Sequence, residues 1–280
     1  MKIAVILNAH GNTELVQDTL EAIHTWVGSK VVVLIDGATW NSWGRDANLS
    51  AYKLEGFYHN CPRSPYRNVT LGLMKAAEFW PDVDWYCYTE YDTLFVSDEF
   101  KNYLEEASKL GVWCIGNDAR DEKFQFPLVE QMLGKKLKQS KYLLGCCVFH
   151  KAEFLHKLQE LNFFDRFLNL TNAFNQGFFP DYEKQGGYDI AEHLYPTLAH
   201  HLGGKVAQFA CWNPKFPGSS EGHWTGSYDK FQMRWQPDLE FSQELIGASI
   251  LHPIKDLDNP IRSYFKQHRE KLWKNCRVKR

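Results

Sequence analysis

The sequence predicts an α/β protein in which helices flank a mostly parallel central sheet. Two continuous apolar runs, KIAVILNAH at 2–10 and KVVVLIDG at 30–37, have the length and composition of strands buried on both faces. Between them, residues 13–27 carry apolar side chains at helical spacing. A strand, a helix and a second strand in this order indicate a right-handed crossover, which makes the two strands parallel.

The rest of the chain continues this alternation of apolar runs and segments with helical spacing. Further strands are predicted at the runs WYCYTEYD, VWCIGND, KYLLGCCVF, KVAQF and ASILH, which begin at residues 85, 112, 141, 205 and 248. Further helices are predicted at VTLGLMKAAEFW, SDEFKNYLEEASKLG, KAEFLHKLQEL and YDIAEHLYPTLAHHL. We expect Ser97 or Asp98 to cap the second of these helices, and Gly145 to lie near the turn that precedes the third.

Two segments depart from the alternation. Residues 38–68 are rich in turn residues, and residues 119–140 are charged and irregular. We expect the first segment to form a long excursion and the second to form a loop or lid. Because no internal repeat or low-complexity linker interrupts the chain, residues 1–256 are interpreted as one domain, followed by a basic tail at 257–280.

Composition excludes several classes of protein. Hydrophobic residues make up 44% of the 280 residues, which is enough for a sizeable core. The net charge of −2 provides no general attraction to nucleic acid. The seven cysteines form no CxxC pair, so zinc spacing is absent and a reducing, cytoplasmic environment is the simplest interpretation. No run approaches the roughly 20 apolar residues that span a bilayer, and the opening run favours a strand over a signal peptide.

A pair of carboxylates, Glu90 and Asp92, ends the apolar run that begins at residue 85. In an extended segment, residues two apart point to the same side, so both acids would face one ion. Hard divalent cations such as Mg²⁺ or Mn²⁺ prefer carboxylate oxygens. The alternative is an acidic turn before the next helix. Ligands of open α/β sheets sit at the carboxyl ends of the strands, and this position favours the metal site.

The carboxyl ends of the first two predicted strands supply further polar candidates at the same edge. Asn8, Ala9 and His10 end the first strand, and Asp36 ends the second. Asp36 precedes a glycine and is also a common type of turn residue. His10 is interpreted as structural in preference to functional when it is taken alone.

The order of these motifs resembles that of the nucleotide-sugar-dependent glycosyltransferases with the GT-A fold, in the glycosyltransferase 2-like group. The resemblance covers about residues 2–256 and depends on the order of the motifs more than on any single one. It is carried by the segments VILNAHGNTELVQDTLEAI, VVVLIDGAT, LGLMKAAEFWPDVDWYCYTEYDTLFVSDEF, LLGCCVFHKAEFL, YDIAEHLYPTLAHHLGGKV and LHPIKD. Glu90-Tyr91-Asp92 stands where that family has its D-x-D metal motif.

The resemblance implies a Rossmann-like nucleotide-sugar-binding half at about 1–118 and an acceptor-binding half at about 119–256. The implied ligands of a Mn²⁺ or Mg²⁺ cofactor are Asp92, Glu90 and His252. The implied nucleotide-binding residues are Asn8, Ala9, His10, Asp36, Glu90, Tyr91 and Lys255. The implied acceptor residues are Gly145, Trp212 and Trp224. Each has a plainer alternative, such as loop hydrogen bonding for His252 or core packing for the tryptophans.

The sequence departs from the family pattern at two places. Glu replaces the usual Asp at position 90, which makes Asp92 the safer ligand. The usual acidic pair of the catalytic helix is also missing, and Asp189 and Glu192 lie three residues apart on one helical face instead. Either residue is a candidate general base, and counting back from Gly203 favours Glu192.

The expected function is metal-dependent transfer of a sugar from a nucleotide diphosphate sugar to a hydroxyl of a glycan or glycolipid acceptor. A UDP-sugar is the default donor, and inversion at the anomeric carbon is favoured. A retaining enzyme of the same fold and a degenerate, non-catalytic carbohydrate-binding protein are the alternatives. A sugar-nucleotide pyrophosphorylase is disfavoured because NAHGNTE provides no glycine-rich phosphate loop.

The tail at 262–280 carries eight Lys or Arg residues and one acidic residue, with aromatic and apolar side chains between them. This pattern is typical of a basic amphipathic helix at an anionic membrane surface. Such a helix would suit a cytoplasmic enzyme that acts on a lipid-linked acceptor at the inner face of a membrane. A solvated terminal helix is the alternative.

Overall fold

The predicted α/β fold, with helices around a mostly parallel central sheet, is confirmed. The computed structural model describes residues 1–9, 13–36, 51–56, 65–123, 125–172, 190–209, 211–212, 233–235 and 248–278. The strands are β1 (Ile3–Ala9), β2 (Lys30–Asp36), β3 (Ala51–Gly56), β4 (Trp85–Glu90), β5 (Leu94–Phe95), β6 (Val112–Glu122), β7 (Ser140–Lys151), β8 (Lys205–Gln208), β9 (Cys211–Trp212), β10 (Met233–Trp235) and β11 (Ile250–His252). The helices are α1 (Thr13–Trp26), α2 (Pro65–Phe79), α3 (Phe100–Lys109), α4 (Pro127–Leu133), α5 (Ala152–Glu160), α6 (Phe163–Asn172), α7 (Ile190–His201) and α8 (Pro260–Val278).

The central sheet has seven strands in the order β3-β2-β1-β4-β7-β6-β8. Six of them are parallel, and β7 runs antiparallel to its neighbours β4 and β6. Because β7 runs the opposite way, its first half lies at the carboxyl edge of β4. That edge is where ligands bind in sheets of this kind.

A second sheet of four short strands lies in the order β5-β11-β10-β9. Strands β9, β10 and β11 are parallel, and β5 pairs antiparallel with β11. Strand β5 follows β4 after only a few residues, so this small sheet joins the C-terminal part of the chain to the carboxyl edge of β4.

The hydrophobic core lies on both faces of the central sheet, as the continuous apolar runs predict. Helices α1 and α3 cover one face, and their buried residues include Val16, Leu20 and Leu104. Helices α2, α5, α6 and α7 cover the other face. A third, smaller cluster joins α8 to the four-stranded sheet through Ile261 and Leu251.

Helix α2 approaches the sheet closely at Gly72. A β-carbon at this position would overlap Ile6 Cγ2 and lie 3.0 Å from Leu34 Cδ1. Glycine therefore lets the helix backbone rest on β1 and β2. This contact holds α2 against the two strands whose carboxyl ends point to the candidate site.

Several predicted local features are wrong. Helix α3 begins at Phe100 without a side-chain cap, and the hydroxyl of Ser97 donates to Ser249 instead. Gly145 does not lie near a turn but in the middle of β7. Residues 119–140 form no simple loop, because β6 continues to Glu122 in register with β7 and α4 follows.

The segment 38–68 contains structure that its turn-rich composition did not indicate. Residues 51–56 form β3, the parallel edge strand beside β2, and α2 begins at Pro65. The sequence of this segment shows no clear alternation of apolar and polar residues. Residues 51–56 form a strand because they pair with the edge of β2. Within the described ranges, no helix combines the length and the apolarity needed to cross a membrane.

We expect Gly72→Ala to lower the free energy of unfolding by about 1–3 kcal/mol, because the added methyl group overpacks the contact with Ile6. This loss is a net value, because alanine also has a higher intrinsic helix propensity than glycine, which offsets about 1 kcal/mol of the overpacking cost. Urea denaturation followed by circular dichroism measures the change. Glu78→Ala, on the exposed side of α2, is the control and should stay within about 0.5 kcal/mol of wild type. A Gly72→Ala protein as stable as wild type would contradict the close packing of α2.

Candidate metal centre

Three side chains meet at the carboxyl edge of β4. His252 Nε2 lies 3.3 Å from Glu90 Oε2 and 3.1 Å from Asp92 Oδ1. One ligand atom from each residue lies within 4.8 Å of the others. Asp92 and His252 are buried, whereas the side chain of Glu90 retains 35% of its exposure. The cluster therefore has a closed side and an open side.

The two acids come together through a turn. Strand β4 ends at Glu90, and the N–H of Thr93 donates to the carbonyl of Glu90 at 3.1 Å. The N–H of Tyr91 donates to the carbonyl of Asn8 at 3.0 Å, which ties this turn to the end of β1. The extended geometry predicted for Glu90 and Asp92 is thus wrong, although both side chains do reach His252.

His252 is delivered by the four-stranded sheet. It ends β11, which pairs with β10 on one side and with β5 on the other. Two residues later, the N–H of Ile254 donates to the carbonyl of Asp92 at 2.8 Å. This backbone bond fixes the loop that follows His252 directly against the turn that carries both acids.

The electrostatics of the cluster favour a charged Asp92. Burial by itself would raise the pKa of Asp92, but His252 and Lys255 together lower it below its ordinary value. Burial likewise would lower the pKa of His252, but the neighbouring Cys146, Asp92 and Glu90 raise it well above its ordinary value. The carboxylates of Asp92 and Glu90 therefore make the space beside Nε2 of His252 favourable for a positive charge.

The cluster fits a divalent cation. The two carboxylates are the kind of ligand that Mn²⁺ and Mg²⁺ prefer, the imidazole supplies a third donor atom, and the remaining positions are left to phosphate oxygens and water. Asp92 Oδ1 is buried and, within the described part of the chain, makes no hydrogen bond, since its contact with His252 has ion-pair distance but not hydrogen-bond geometry. Such an atom is costly unless a cation or polar group satisfies it.

Glu192 lies at the same edge of the sheet. Its Oε1 accepts a hydrogen bond of 2.6 Å from the N–H of Gly145 in β7. The next residue, Cys146, lies against His252. Burial first and Glu192 second raise the pKa of Tyr142, whose hydroxyl faces the Glu192 carboxylate. The Glu192 carboxylate of α7 is thus bound to Gly145 of β7, and the next residue of that strand, Cys146, contacts His252.

A small, mostly apolar cavity of about 20 Å³ lies between α7 and the sheet, and Glu192 is part of its lining. Its lining includes Tyr88, His150 and Tyr195, and burial lowers the pKa of His150 to about 3. The hydroxyl of Tyr195 lies 2.5 Å from that of Thr70. The cavity has room for about one water molecule and no room for a sugar.

The remaining nucleotide-site candidates that the structure describes lie at the end of β1, in the turn after β4 and in the loop after β11. Asn8 is buried next to Glu90 in the ladder, and its Oδ1 has no hydrogen-bond partner within the described ranges. Ala9 is buried, Tyr91 is half-buried, and Lys255 is exposed but close enough to lower the pKa of Asp92.

Other predicted residues fall wholly or partly outside the described ranges. His10, Asp189 and Trp224 lie outside them, so Glu192 is the base candidate that the structure describes. Asp36 ends β2 and Trp212 ends β9, and the side chains of both lie outside the described part.

Two contributors to the site escaped the sequence-based prediction, namely Cys146 and Tyr142. Cys146 is one of two adjacent cysteines in a run that resembles an ordinary buried strand, and Tyr142 is the second residue of that run. Cys146 lies in the stretch of β7 where the pairing with β6 shifts register, and Tyr142 interacts with Glu192 of α7. No local sequence signal indicates either feature.

Neither a family model nor a curated protein matches this chain. Among solved structures, it is similar to a glycosyltransferase involved in the glycosylation of the major capsid of PBCV-1, with 10% identity, a TM-score of 0.47, and coverage of 97% of this chain and 100% of that one. It is also similar to mannose-1-phosphate geranyltransferase from Thermus thermophilus, with 12% identity, a TM-score of 0.38, and coverage of 60% and 65%. A mycobacterial protein shows 19% identity, a TM-score of 0.34, and coverage of 55% and 54%. At such low similarity, activity must be inferred from the site itself.

Proposed function

We propose that this protein is a metal-dependent glycosyltransferase of the GT-A type, which moves a sugar from a nucleotide diphosphate sugar to a hydroxyl of a glycan or glycolipid. The observation that carries the proposal is the cluster of Glu90, Asp92 and His252 at the carboxyl edge of β4, together with the carboxylate of Glu192, which the N–H of Gly145 holds on the neighbouring strand β7. The order of sequence motifs, which resembles that family over about residues 2–256, points to the same activity.

The metal cluster suits the first requirement of the reaction, which is to bind a diphosphate and stabilise its growing negative charge. Asp92, His252 and Glu90 would hold Mn²⁺ or Mg²⁺, and Glu90 lies on the open side that a substrate reaches. When bound, the cation supplies Lewis-acid stabilisation of the diphosphate leaving group. Lys255 adds a second positive charge close to Asp92.

The nucleoside end of the donor is assigned to the neighbouring strand ends. Asn8 and Ala9 end β1, Asp36 ends β2, and Tyr91 begins the turn after β4. These three strands are adjacent in the sheet, so their ends form one continuous edge. The Oδ1 atom of Asn8 is buried at that edge, and an N–H or O–H group of the nucleoside would be a complementary hydrogen-bond donor for it.

Glu192 suits the second requirement, which is to remove the proton of the acceptor hydroxyl. As that oxygen attacks the anomeric carbon, a bond to the sugar forms and the bond from the sugar to the diphosphate oxygen breaks. The proton passes to the Glu192 carboxylate, which the N–H of Gly145 holds in place. Attack from the side opposite the leaving group would invert the anomeric carbon. Gly145, Trp212 and Trp224 remain the proposed acceptor contacts.

Two alternatives make distinct predictions. A retaining transferase would use the same metal cluster but would not require Glu192 as a base. A degenerate carbohydrate-binding protein would keep the fold and release no nucleoside diphosphate. The proposed donor nucleotide is UDP, and the proposed site of action is cytoplasmic, with contact to an anionic membrane through residues 262–280.

We expect Mn²⁺ to raise the melting temperature of the protein, and a nucleoside diphosphate to raise it further only when Mn²⁺ is present. Asp92→Asn keeps the shape of the side chain but removes its charge, and it should abolish both shifts. A thermal-shift panel of UDP, GDP, ADP and CDP, with and without Mn²⁺, measures them. Asp98→Asn, an exposed acid outside the cluster, should respond like wild type. Equal shifts in the Asp92→Asn protein would refute the proposed metal centre.

We expect Glu192→Gln to lower the metal-dependent release of nucleoside diphosphate from the donor by about 100-fold or more, because the amide cannot accept the proton. The amide oxygen still accepts the N–H of Gly145, so the thermal shift with Mn²⁺ and nucleotide should persist. Chromatography of the nucleotide products measures the rate. Glu130→Gln is the matched control, since Glu130 also accepts a backbone N–H, from Leu137, but lies away from the site. An unchanged rate in Glu192→Gln would favour the retaining alternative.

A further inference from the structure

A buried ionic cluster lies behind the candidate metal centre. Asp18 in α1 is 3% exposed, and Arg262 and Arg269 in α8 are each 1% exposed. Arg262 Nη1 donates to Asp18 Oδ2 at 2.6 Å, and Arg269 Nη2 donates to the other carboxylate oxygen of Asp18. One buried carboxylate thus binds two buried guanidinium groups, so these three groups together carry a net positive charge.

Such a cluster needs an explanation beyond stability. Burying charged groups costs more free energy than their pairing usually returns, so a buried ion pair is weak support for a purely stabilising role. The second guanidinium increases this cost, because Asp18 can neutralise only one of the two. Two nitrogens of Arg269, Nε and Nη1, also have no hydrogen-bond partner within the described part of the chain.

Arg262 connects the cluster to both loops of the candidate metal centre. Its Nε donates to the carbonyl of Ile254 at 3.1 Å, in the loop that follows His252. Its Nη2 lies 3.5 Å from the carbonyl of Tyr91, between Glu90 and Asp92. A planar guanidinium presents donors in several fixed directions, which suits a group that must hold two loops at once.

Thr19 reinforces the same contact from α1. Its hydroxyl donates to the carbonyl of Tyr91 at 2.5 Å and also accepts from Arg262 Nη1 at 3.3 Å. Helices α1 and α8 therefore share one polar contact with the back of the acidic turn. Burial lowers the pKa of Arg262 below its ordinary value, and the charges of Asp18 and, less strongly, Asp92 oppose that shift, so the electrostatic link reaches the ligand itself.

Of these contacts, Arg269 shares only the one with Asp18. It binds the same carboxylate of Asp18 and is equally buried, but the structure shows no contact between it and the turn or the loop after His252 within the described ranges. The two arginines thus separate two roles. Both hold α8 to α1, and Arg262 alone touches the loops that carry the candidate ligands.

We propose that Arg262, anchored by Asp18, is a positioning residue of the metal centre, which sets the spacing between His252 and the acids of the turn through backbone carbonyls. The inference rests on the proposed function, because it requires that Glu90, Asp92 and His252 bind a cation. It assigns to α8 a role in cation affinity, in addition to any contact of its exposed basic residues with a membrane. Outer-shell residues of this kind typically change metal affinity by about 10- to 100-fold.

The test compares Arg262→Met with Arg269→Met in the full-length chain. Each substitution removes one guanidinium from Asp18 and leaves the other in place. The dissociation constant of Mn²⁺ is measured by the electron paramagnetic resonance signal of the free ion, and stability by urea denaturation. We expect both variants to stay folded, because each keeps one pair between Asp18 and an arginine, and only Arg262→Met to bind Mn²⁺ about tenfold or more weakly.

Thr19→Val serves as a second, milder variant, since it keeps the shape of the side chain and removes the hydrogen bond to the carbonyl of Tyr91. We expect it to weaken Mn²⁺ binding by a smaller factor, and it decides the test if Arg262→Met does not fold. Equal Mn²⁺ affinity in wild type and the folded Arg262→Met protein would overturn the positioning role. If Arg262→Met does not fold, equal affinity in wild type and Thr19→Val would overturn it. An equal loss of affinity in Arg262→Met and Arg269→Met would overturn it as well, by indicating general loosening.

The same measurements distinguish this inference from the proposed function. If the wild-type protein does not bind Mn²⁺, the metal centre itself is refuted. If wild type binds Mn²⁺, Asp92→Asn does not, and Arg262→Met binds as well as wild type, the metal centre stands and only the positioning role fails.

Discussion

The architecture at the carboxyl edge of the sheet depends on the burial of Asp92. A carboxylate removed from water requires a positive partner or several hydrogen-bond donors. His252 supplies the charge, and the four-stranded sheet brings His252 from a distant part of the chain to within 3.1 Å of Asp92. The backbone bond from Ile254 to the Asp92 carbonyl closes the same contact from the other side. A turn and a loop separated by some 160 residues thus behave as one unit.

Two different strand directions bring the chemistry together around this unit. Parallel β1 places Asn8 beside Glu90, and antiparallel β7 enters the same edge from the opposite direction. Because Thr89 pairs with Cys147 and β4 ends one residue later, the residues before Cys146 extend past the end of β4. Gly145 therefore presents its N–H to Glu192 beyond the end of β4. A fully parallel sheet would direct this part of the chain away from the site.

The C-terminal helix contributes from behind the sheet edge. Seen as sequence, residues 262–280 form a basic segment with a solvated or membrane-facing surface. In the structure, two of its arginines, Arg262 and Arg269, are among the most deeply buried large side chains of the protein. Their shared partner, Asp18, lies on the face of α1 whose apolar neighbours predicted a buried helix. The ionic cluster occupies a position that periodicity alone assigns to the core.

The sequence by itself determined the α/β class, most of the strands and helices, and two of the acids of the site, because buried parallel strands leave continuous apolar runs that end where polar residues begin. It also indicated His252 and Glu192, through the order of motifs in a resembling family. It did not indicate β3, the turn geometry of Glu90 and Asp92, the register shift beside Cys146, or the buried partners of Asp18. These features depend on contacts between residues far apart in the chain, such as Arg262 with Tyr91. Only the tertiary structure decided them, since burial, register and charge pairing are properties of packed elements and not of local sequence.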